Sequence, residues 1–262
     1  MTTLVHQQWD ESDQGVLTPA AGAADLARRG DQIRTYLYGL TRSTGPGPSP
    51  VRLAACGNTQ IRAAMERLAR VTTTTVRNAS VRDTFDISGH TSDLNAAAHR
   101  RGVVMDRVIN ETTRRQYPLL PLTALFTRRL VVAPVRLGMI VVDGRRLVFP
   151  GPRLDSGEGA MWVSTDRDVV AVAGELLDAQ LAQGVTIPTL APTEAHQRWL
   201  QVLTHLVNGL TDSAIARRVG VSVRCVEKDI HAIKEIAGVD NRMDLVWSLG
   251  YTSDRFGSAA AG

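Results

Sequence analysis

Both lysines of this 262-residue chain, Lys228 and Lys234, lie in one short stretch near the C-terminus. That stretch, residues 210–239, reads LTDSAIARRVGVSVRCVEKDIHAIKEIAGV. Cationic side chains grouped in this way can contact the phosphates and base edges of a nucleic acid. Acids that a phosphate backbone repels stand in the same stretch: Glu227, Asp229 and Glu235. The residues therefore leave two interpretations open, a DNA-reading segment and an ordinary helical hairpin.

The near-absence of lysine excludes several kinds of catalytic site. The other basic residues are 28 arginines, and residues 1–227 contain no lysine. A Walker A loop, a Schiff-base enzyme and a protein kinase each need one. A phosphate-receiver domain and the His-x-Lys motif of phospholipase D enzymes need one as well. Cys56 and Cys225 lie far apart without ligand-like spacing, so neither a disulfide nor a metal site is expected.

The remaining candidates for chemistry have simpler interpretations. His90 is followed by Thr-Ser and His99 by Arg-Arg, and both are expected at the surface or at helix ends. Asp106, in the apolar run VVMDRV, is expected to pair with a nearby arginine or to point to a solvated face rather than to bind a ligand. Four arginine pairs are expected at solvated ends of elements, with an anion pocket for a phosphorylated or carboxylated effector as the alternative: 100–101, 114–115, 128–129 and 145–146. No catalytic residue and no cofactor is predicted.

Strand and helix patterns alternate through the first two thirds of the chain, which predicts an α/β layer domain. Helices are expected at 23–41, 58–71, 91–102 and 166–184. Strands are expected at 51–56, 72–79, 103–110 and 160–164. Residues 138–152 carry two apolar runs around Asp143-Gly144, which predicts a hairpin. Asn58 is the expected cap of the second helix, and 51–56 is expected to be buried.

Two prolines after residue 184 mark the predicted domain boundary. Residues 1–22 are expected to form a loose N-terminus and 23–184 the α/β domain. Residues 185–193 are expected to be a linker and 194–252 an all-α domain. Residues 253–262 are the tail.

The all-α part is predicted to contain helices at 194–208 and 212–219, and a third helix at 222–236. On a helical wheel the third helix has a buried stripe: Val226, Ile230, Ile233 and Ala237. Its opposite side carries a polar set: Arg224, Glu227, Lys228, His231 and Glu235. A narrow buried stripe with a long outer face is what a recognition helix in the DNA major groove requires.

The sequence GLTDSAIARRVGVSVRCVEKDIHAI resembles the helix-turn-helix module of the LuxR/NarL (GerE-type) regulators, over about 60 residues from 194 to 251. The positions that carry the resemblance are Gly209, Leu210, Thr211, Ile215, Ala216, Arg218, Gly220, Val221, Ser222 and Val226. The sequence departs from the family pattern at Cys225, Glu227 and Asp229, where relatives usually have Thr, Lys and His. Glu227 could accept from a cytosine amino group or weaken binding.

This resemblance implies a cytoplasmic, homodimeric transcription regulator with a C-terminal four-helix LuxR-type domain. The implied DNA-contacting residues are Thr211, Ser222, Arg224, Glu227, Lys228, His231, Lys234 and Arg242. The segment VDNRMDLV leads into the fourth helix, which often mediates dimer contact in the family. The implied dimer contacts are Met243, Val246 and Trp247. Double-stranded DNA is the expected partner, and an unidentified small-molecule effector or RNA polymerase is left open.

The segments HRRGVVMDRVIN and VRLGMIVVDGRRLVFPGP resemble the phospholipase D-like domain of actinobacterial and TrmB-type regulators. Without a His-x-Lys pair, the resemblance implies a non-catalytic sensor or dimerisation domain. The alternative is a phosphodiesterase-like or small-molecule-binding enzyme with an accessory helical domain.

Charge is distributed unevenly between the two parts. Residues 194–262 contain eight Lys/Arg and eight Asp/Glu, so their net charge is zero. Residues 1–193 contain 22 arginines and 18 acids, which is the whole excess of +4. Because DNA-binding domains are usually basic, a helical interaction module that no longer binds DNA is the competing interpretation. No apolar run of 18 residues occurs, so no membrane partner is expected.

Overall fold

The computed structural model describes residues 22–42, 49–81, 86, 88–116, 118–152, 154 and 156–249. The predicted loose N-terminus, apart from Gly22, lies outside the described residues. So do the predicted tail and residues 250–252 of the predicted all-α domain. No helix in the described ranges has the length and apolar character needed to cross a membrane.

The described residues form eight strands that join into one mixed sheet. The strands are β1 (Arg52–Cys56), β2 (Thr75–Ser80), β3 (Val104–Ile109), β4 (Arg129–Val132), β5 (Met139–Val142), β6 (Arg146–Pro150), β7 (Ala160–Ser164) and β8 (Val185–Ile187). Their order across the sheet is β1-β7-β6-β5-β2-β3-β4-β8. The neighbours β2-β3 and β3-β4 are parallel, and all other neighbours are antiparallel.

Helices cover both faces of this sheet. In the sheet region they are α1 (Ala23–Arg42), α2 (Gly57–Val71), α3 (His90–Arg100), α4 (Glu111–Gln116), α5 (Leu120–Thr123) and α6 (Arg167–Gln183). Helix α6 packs on the central strands, and α1 packs on α6. Helix α2 packs on β1 and β7 and also contacts α3. The predicted α/β layer arrangement is therefore confirmed as a mixed α/β sheet.

Three details differ from the sequence expectations. Helix α2 begins one residue early, at Gly57, and within the described residues its N-cap Cys56 makes no side-chain capping bond, so Asn58 is not the cap. Strand β1 is an edge strand with an exposed start rather than a buried strand. Residues 185–187, assigned to the linker, instead pair with β4 as strand β8. Isolated short apolar runs do not distinguish edge strands from buried strands or linkers.

The predicted hairpin between β5 and β6 is confirmed, and its turn is held from outside. Asp143 and Gly144 both adopt left-handed conformations, with φ of 52° and 63°. The Asp143 carboxylate accepts hydrogen bonds from the backbone N–H groups of Thr73, Thr74 and Thr75 at 2.8–3.0 Å. The hydroxyls of Thr73 and Thr74 donate to it as well. This carboxylate therefore joins the hairpin turn to the start of β2.

The rest of the described chain is helical: α7 (Glu194–Val207), α8 (Asp212–Val219), α9 (Val223–Ala237) and α10 (Arg242–Ser248). Their buried side chains do not form a separate core. They share one cluster with residues of the sheet region, among them Ile109, Leu122 and Leu130, and α5 contacts α7. The sheet region and the C-terminal helices are thus joined by continuous apolar packing.

Candidate nucleic-acid interface

Helices α8 and α9 are connected by a tight turn whose residues explain the helix ends. Thr211 accepts from the N–H of Ala214 and caps α8. Gly220 ends α8 in a left-handed conformation with φ of 77°, which glycine adopts without steric cost. Ser222 then accepts from the N–H of Cys225 and caps α9. The sequence predicted both caps and the glycine turn, and the structure confirms them.

The buried side of α9 is the predicted stripe. Val226, Ile230, Ile233 and Ala237 are all buried against the helical core. They recur at three- and four-residue spacing, so a single face of the helix supplies the contacts to α7 and α8. The helix is therefore fixed in its rotation about its own axis, which determines the residues that face outward.

Asp229 also lies on this buried side, and the residue is only 4% exposed. It accepts from Arg198 Nε at 2.6 Å, from Arg198 Nη2 at 2.9 Å and from Trp199 Nε1 at 2.9 Å. The hydrogen bond to Asp229 raises the pKa of Arg198, and burial of the guanidinium opposes that rise. Asp229 is thus an anchor between α7 and α9.

Asp229 was predicted from the sequence to be among the acids that would repel a phosphate backbone. That prediction was wrong, because the Asp229 carboxylate is buried. The sequence contained the signal, because Asp229 lies three residues after Val226 and four before Ile233, within the apolar stripe. Its partners, Arg198 and Trp199, are about 30 residues earlier in the chain, and no spacing rule within α9 identifies them.

The outward face of α9 carries the predicted polar set. Arg224, Glu227, Lys228, His231 and Glu235 are all exposed. His231 Nε2 lies 3.4 Å from Glu235 Oε1, one turn further along the helix. We call these five residues the outer face of α9. The helix thus presents two strong cations, one histidine and two acids to solvent.

Two other residues that were predicted to contact DNA, Lys234 and Arg242, form hydrogen bonds within the protein. Lys234 is partly buried, and its Nζ donates to the Asp240 carbonyl at 2.8 Å beyond the end of α9. Arg242 forms an ion pair with Asp212, and its Nη2 donates to the Leu210 carbonyl at 2.5 Å. Arg242 therefore connects α10 to the start of α8, beside the capping residue Thr211.

The predicted dimer contacts on α10 are of two kinds. Met243 and Trp247, four residues apart on one face, are 64% and 54% exposed. Val246 is partly buried and packs on the helical core. The first two form an exposed apolar pair, whereas Val246 belongs to the interior of the four helices.

The sheet region shows structural uses for its titratable residues. His90 and His99 lie at the two ends of α3, as predicted, with His90 Nε2 3.0 Å from Glu66 Oε1 and the His99 ring against Phe126. Asp106 pairs with Arg128 and Arg129, which is one of the two arrangements expected for it. Burial alone raises the pKa of Asp106, but hydrogen bonds from Arg128 and Arg129 outweigh it and lower that pKa. Within the described residues, no three His, Cys, Asp or Glu side chains are grouped as metal ligands.

Comparison with known proteins gives similarity to solved structures alone. No family model and no curated protein matches the chain. TrmBL2, an archaeal chromatin protein, is similar over 70% of this chain and 68% of its own, with 13% identity and a TM-score of 0.41. Nuc from Salmonella typhimurium, a phospholipase D family member, is similar over 53% of this chain and 98% of its own, with 15% identity and a TM-score of 0.39.

A third structure, phosphatidylserine synthase from Haemophilus influenzae, is similar over 71% of this chain and 45% of its own, with 13% identity and a TM-score of 0.38. The phospholipase D family, which the N-terminal resemblance named, is therefore represented among the similar structures. The similarities are partial, and they assign no functional residue to this chain.

Proposed function

We propose that this protein is a sequence-specific DNA-binding transcription regulator that acts as a homodimer and places α9 in the major groove. The observation that carries the proposal is the outer face of α9, an exposed polar surface on a helix that a buried stripe fixes in rotation. The resemblance of residues 194–251 to LuxR/NarL helix-turn-helix modules supports the same assignment.

The dimensions and chemistry of α9 suit this role. A 15-residue helix is about 22 Å long, and the major groove, about 12 Å wide, admits an α-helix. Arg224, Lys228 and His231 recur at four- and three-residue spacing and share one face. Arginine and lysine donate to guanine O6 and N7, and Glu227 can accept from the cytosine N4 amino group. Arg224, Lys228 and His231 are each expected to contact a base edge or a nearby phosphate, and Glu227 a base edge.

Burial of Asp229 removes part of the objection from charge. Its carboxylate is matched by Arg198 inside the helical core and does not face the groove. The outer face still has as many acids as strong cations, so a single copy is expected to make few phosphate contacts and to bind weakly. The exposed pair Met243 and Trp247 is our candidate for the surface that joins two copies.

We further propose that residues 23–184 are a non-catalytic sensor or dimerisation domain. The supporting observation is the sequence, in which neither His90 nor His99 is followed by the x-Lys that phospholipase D chemistry uses. Incubating the full chain with bis(p-nitrophenyl) phosphate is expected to release no nitrophenolate above the rate with a heat-inactivated sample. Protein-dependent turnover would favour the phosphodiesterase-like alternative.

A genome-wide DNA footprint tests the main proposal. Chromatin bound by the full chain should contain a small set of sites that share a two-fold symmetric motif, since a symmetric dimer reads two half-sites. Gel-shift assays with the recovered fragments should then give a discrete complex at low salt. Recovery of no enriched motif, with no retarded fragment in the presence or absence of cell extract, would overturn the proposal.

A further inference from the structure

Three of the four arginine pairs noted in the sequence lie along the edge of the sheet that is formed by the ends of its strands, where the parallel strands begin. Parallel strands β2, β3 and β4 begin at this edge, and the turn between β5 and β6 lies there as well. The pairs lie at the end of α3 shortly before β3, at the start of β4, and where the β5–β6 turn enters β6. We call these six residues the arginine row: Arg100, Arg101, Arg128, Arg129, Arg145 and Arg146.

Hydrogen bonds hold the segments of the row together. The Arg101 guanidinium donates to the Ala69 carbonyl at 2.6 Å, which joins the end of α3 to the end of α2. The Arg128 N–H donates to the Met105 carbonyl at 2.7 Å, which joins the approach to β4 to β3. The Asp143 carboxylate fixes the β5–β6 turn on Thr73, Thr74 and Thr75. The row is therefore a defined surface of the fold.

Much of the positive charge of the row is not neutralised locally. Arg128 and Arg129 share one carboxylate, that of Asp106, and their side chains remain 58% and 45% exposed. Arg100, Arg145 and Arg146 have no side-chain hydrogen bond or ion pair to any described residue. The carboxylates that form hydrogen bonds at this edge are those of Asp106 and Asp143. Six arginines and two carboxylates together have a net charge of +4.

We propose that the arginine row binds the phosphate backbone of the double-stranded DNA whose bases α9 reads. The row extends from β6 to β4, four strand spacings of about 4.8 Å, or about 19 Å in total. A duplex carries one base pair per about 3.4 Å, so the row matches the phosphates of about five to six base pairs. A small carboxylated or phosphorylated effector is too short to engage a row of this length.

Charge complementarity favours DNA for a second reason. The helices that would read the bases have no net charge, whereas the part of the chain with the row contains the whole excess of +4. Phosphate contacts supply most of the affinity for DNA, and arginine recognises phosphate in bidentate geometry. Phe126, two residues before Arg128, packs on the core shared with the C-terminal helices, so the row belongs to the same continuously packed molecule. This inference rests on the proposed function.

The test uses the full chain and compares two double substitutions that remove equal charge. Arg100→Gln/Arg145→Gln removes two row arginines that have no described partner. Arg28→Gln/Arg29→Gln removes two from α1, a helix that packs on α6; Arg28 is exposed and pairs with Asp25, and Arg29 is partly buried. Fluorescence anisotropy with a 40-base-pair duplex carrying a footprinted site, and with a mixed-sequence duplex of equal length, is measured across a series of KCl concentrations.

The row variant is expected to bind both duplexes about tenfold or more weakly near 100 mM KCl. Its slope of log affinity against log salt should fall by about 2, since each lost phosphate contact removes about 0.9. The α1 variant should match the unsubstituted chain. Equal slopes for all three proteins would overturn the row while leaving the proposed function intact. Failure of the unsubstituted chain to bind either duplex would overturn both.

Discussion

Asp229 and its neighbours on α9 show how adjacent acids on one helix acquire different roles from their angular positions. Asp229 faces α7 and is surrounded by the donors of Arg198 and Trp199. Glu227 and Glu235 face solvent. A buried carboxylate with matched donors is costly to disturb, because removing its charge leaves the guanidinium with a weaker partner in a poorly hydrated place.

We expect Asp229→Asn to lower the free energy of unfolding by about 1.5–3 kcal/mol, the range for hydrogen bonds to charged groups, because the partly exposed Arg198 can regain some water. Urea denaturation of the full chain measures this change. Glu227→Gln is the matched control, as it removes one negative charge from the exposed side of the same helix and should shift stability by about 0.5 kcal/mol or less. Equal effects of the two substitutions would refute the anchoring role.

The Asp143 carboxylate makes the stability of the protein depend on pH. Burial alone raises the pKa of this carboxyl, but hydrogen bonds from the backbone of Thr75, Thr74 and Thr73 outweigh it and hold the pKa far below its ordinary value. A carboxyl with a depressed folded-state pKa contributes stability that is fully present above its unfolded pKa of about 3.9. That contribution declines as the pH falls from there towards the folded-state pKa.

Asp143→Asn isolates this contribution, because asparagine tolerates the left-handed backbone of the turn. The variant should be less stable than the unsubstituted chain by about 2 kcal/mol at neutral pH, through weakened hydrogen bonds to a charged acceptor. The difference should shrink steadily below about pH 4. Urea unfolding at a series of pH values measures it, with Glu175→Gln on the exposed side of α6 as the control. A difference that stays constant down to pH 2.5 would contradict the assignment.

Among the helices and strands, local sequence patterns were sufficient to predict the bounds of a helix where a capping side chain starts it and a glycine ends it. Thr211, Gly220 and Ser222 set the limits of α8 and the start of α9, and the apolar stripe set the rotation of α9. Patterns were insufficient at the sheet edges. Strand β8 is three residues long and exists through its pairing with β4, a contact between residues more than 50 positions apart. Such pairing leaves no periodic signal in either segment.

The contrast between Lys228 and Lys234 gives a prediction for α9. Lys228 is exposed on the outer face, whereas Lys234 donates to a backbone carbonyl at the end of the helix. Lys228→Ala should weaken binding to a footprinted duplex by about 1–3 kcal/mol if Lys228 reads a base. Lys234→Ala should reduce affinity less. Anisotropy titration of both variants measures the effects, and unchanged affinity in Lys228→Ala would refute its role.

At the scale of the whole molecule, the sheet and the C-terminal helices share an apolar core. The sequence separated them at the prolines after residue 184 and gave no sign of this packing. The contacts of α5 with α7 bring together side chains about 80 residues apart, and a short apolar segment such as Leu120–Thr123 does not reveal its partner. The order of the eight strands was likewise beyond the reach of local patterns, since a turn signature identifies hairpin neighbours such as β5 and β6 but not strands that are joined through helices.

Shared packing predicts that the two parts unfold together. In the full chain, pulsed hydrogen exchange at a series of urea concentrations should give coincident midpoints for the peptides that contain Trp162 in β7 and Trp199 in α7. Leu122→Ala, which truncates a fully buried side chain of α5, should lower both midpoints equally and cost about 2–5 kcal/mol. Separate transitions, or a shift in the Trp199 curve alone, would show that the two parts fold independently.

A competition titration of the full chain shows whether α9 reads a DNA sequence. Labelled footprinted duplex is displaced by either unlabelled footprinted duplex or a mixed-sequence duplex of equal length, at one fixed salt concentration. Sequence-specific regulators prefer their sites by about a thousandfold or more. We predict a preference of that order, lost in large part on Lys228→Ala. Equal displacement by the two competitors would show that α9 does not read a DNA sequence.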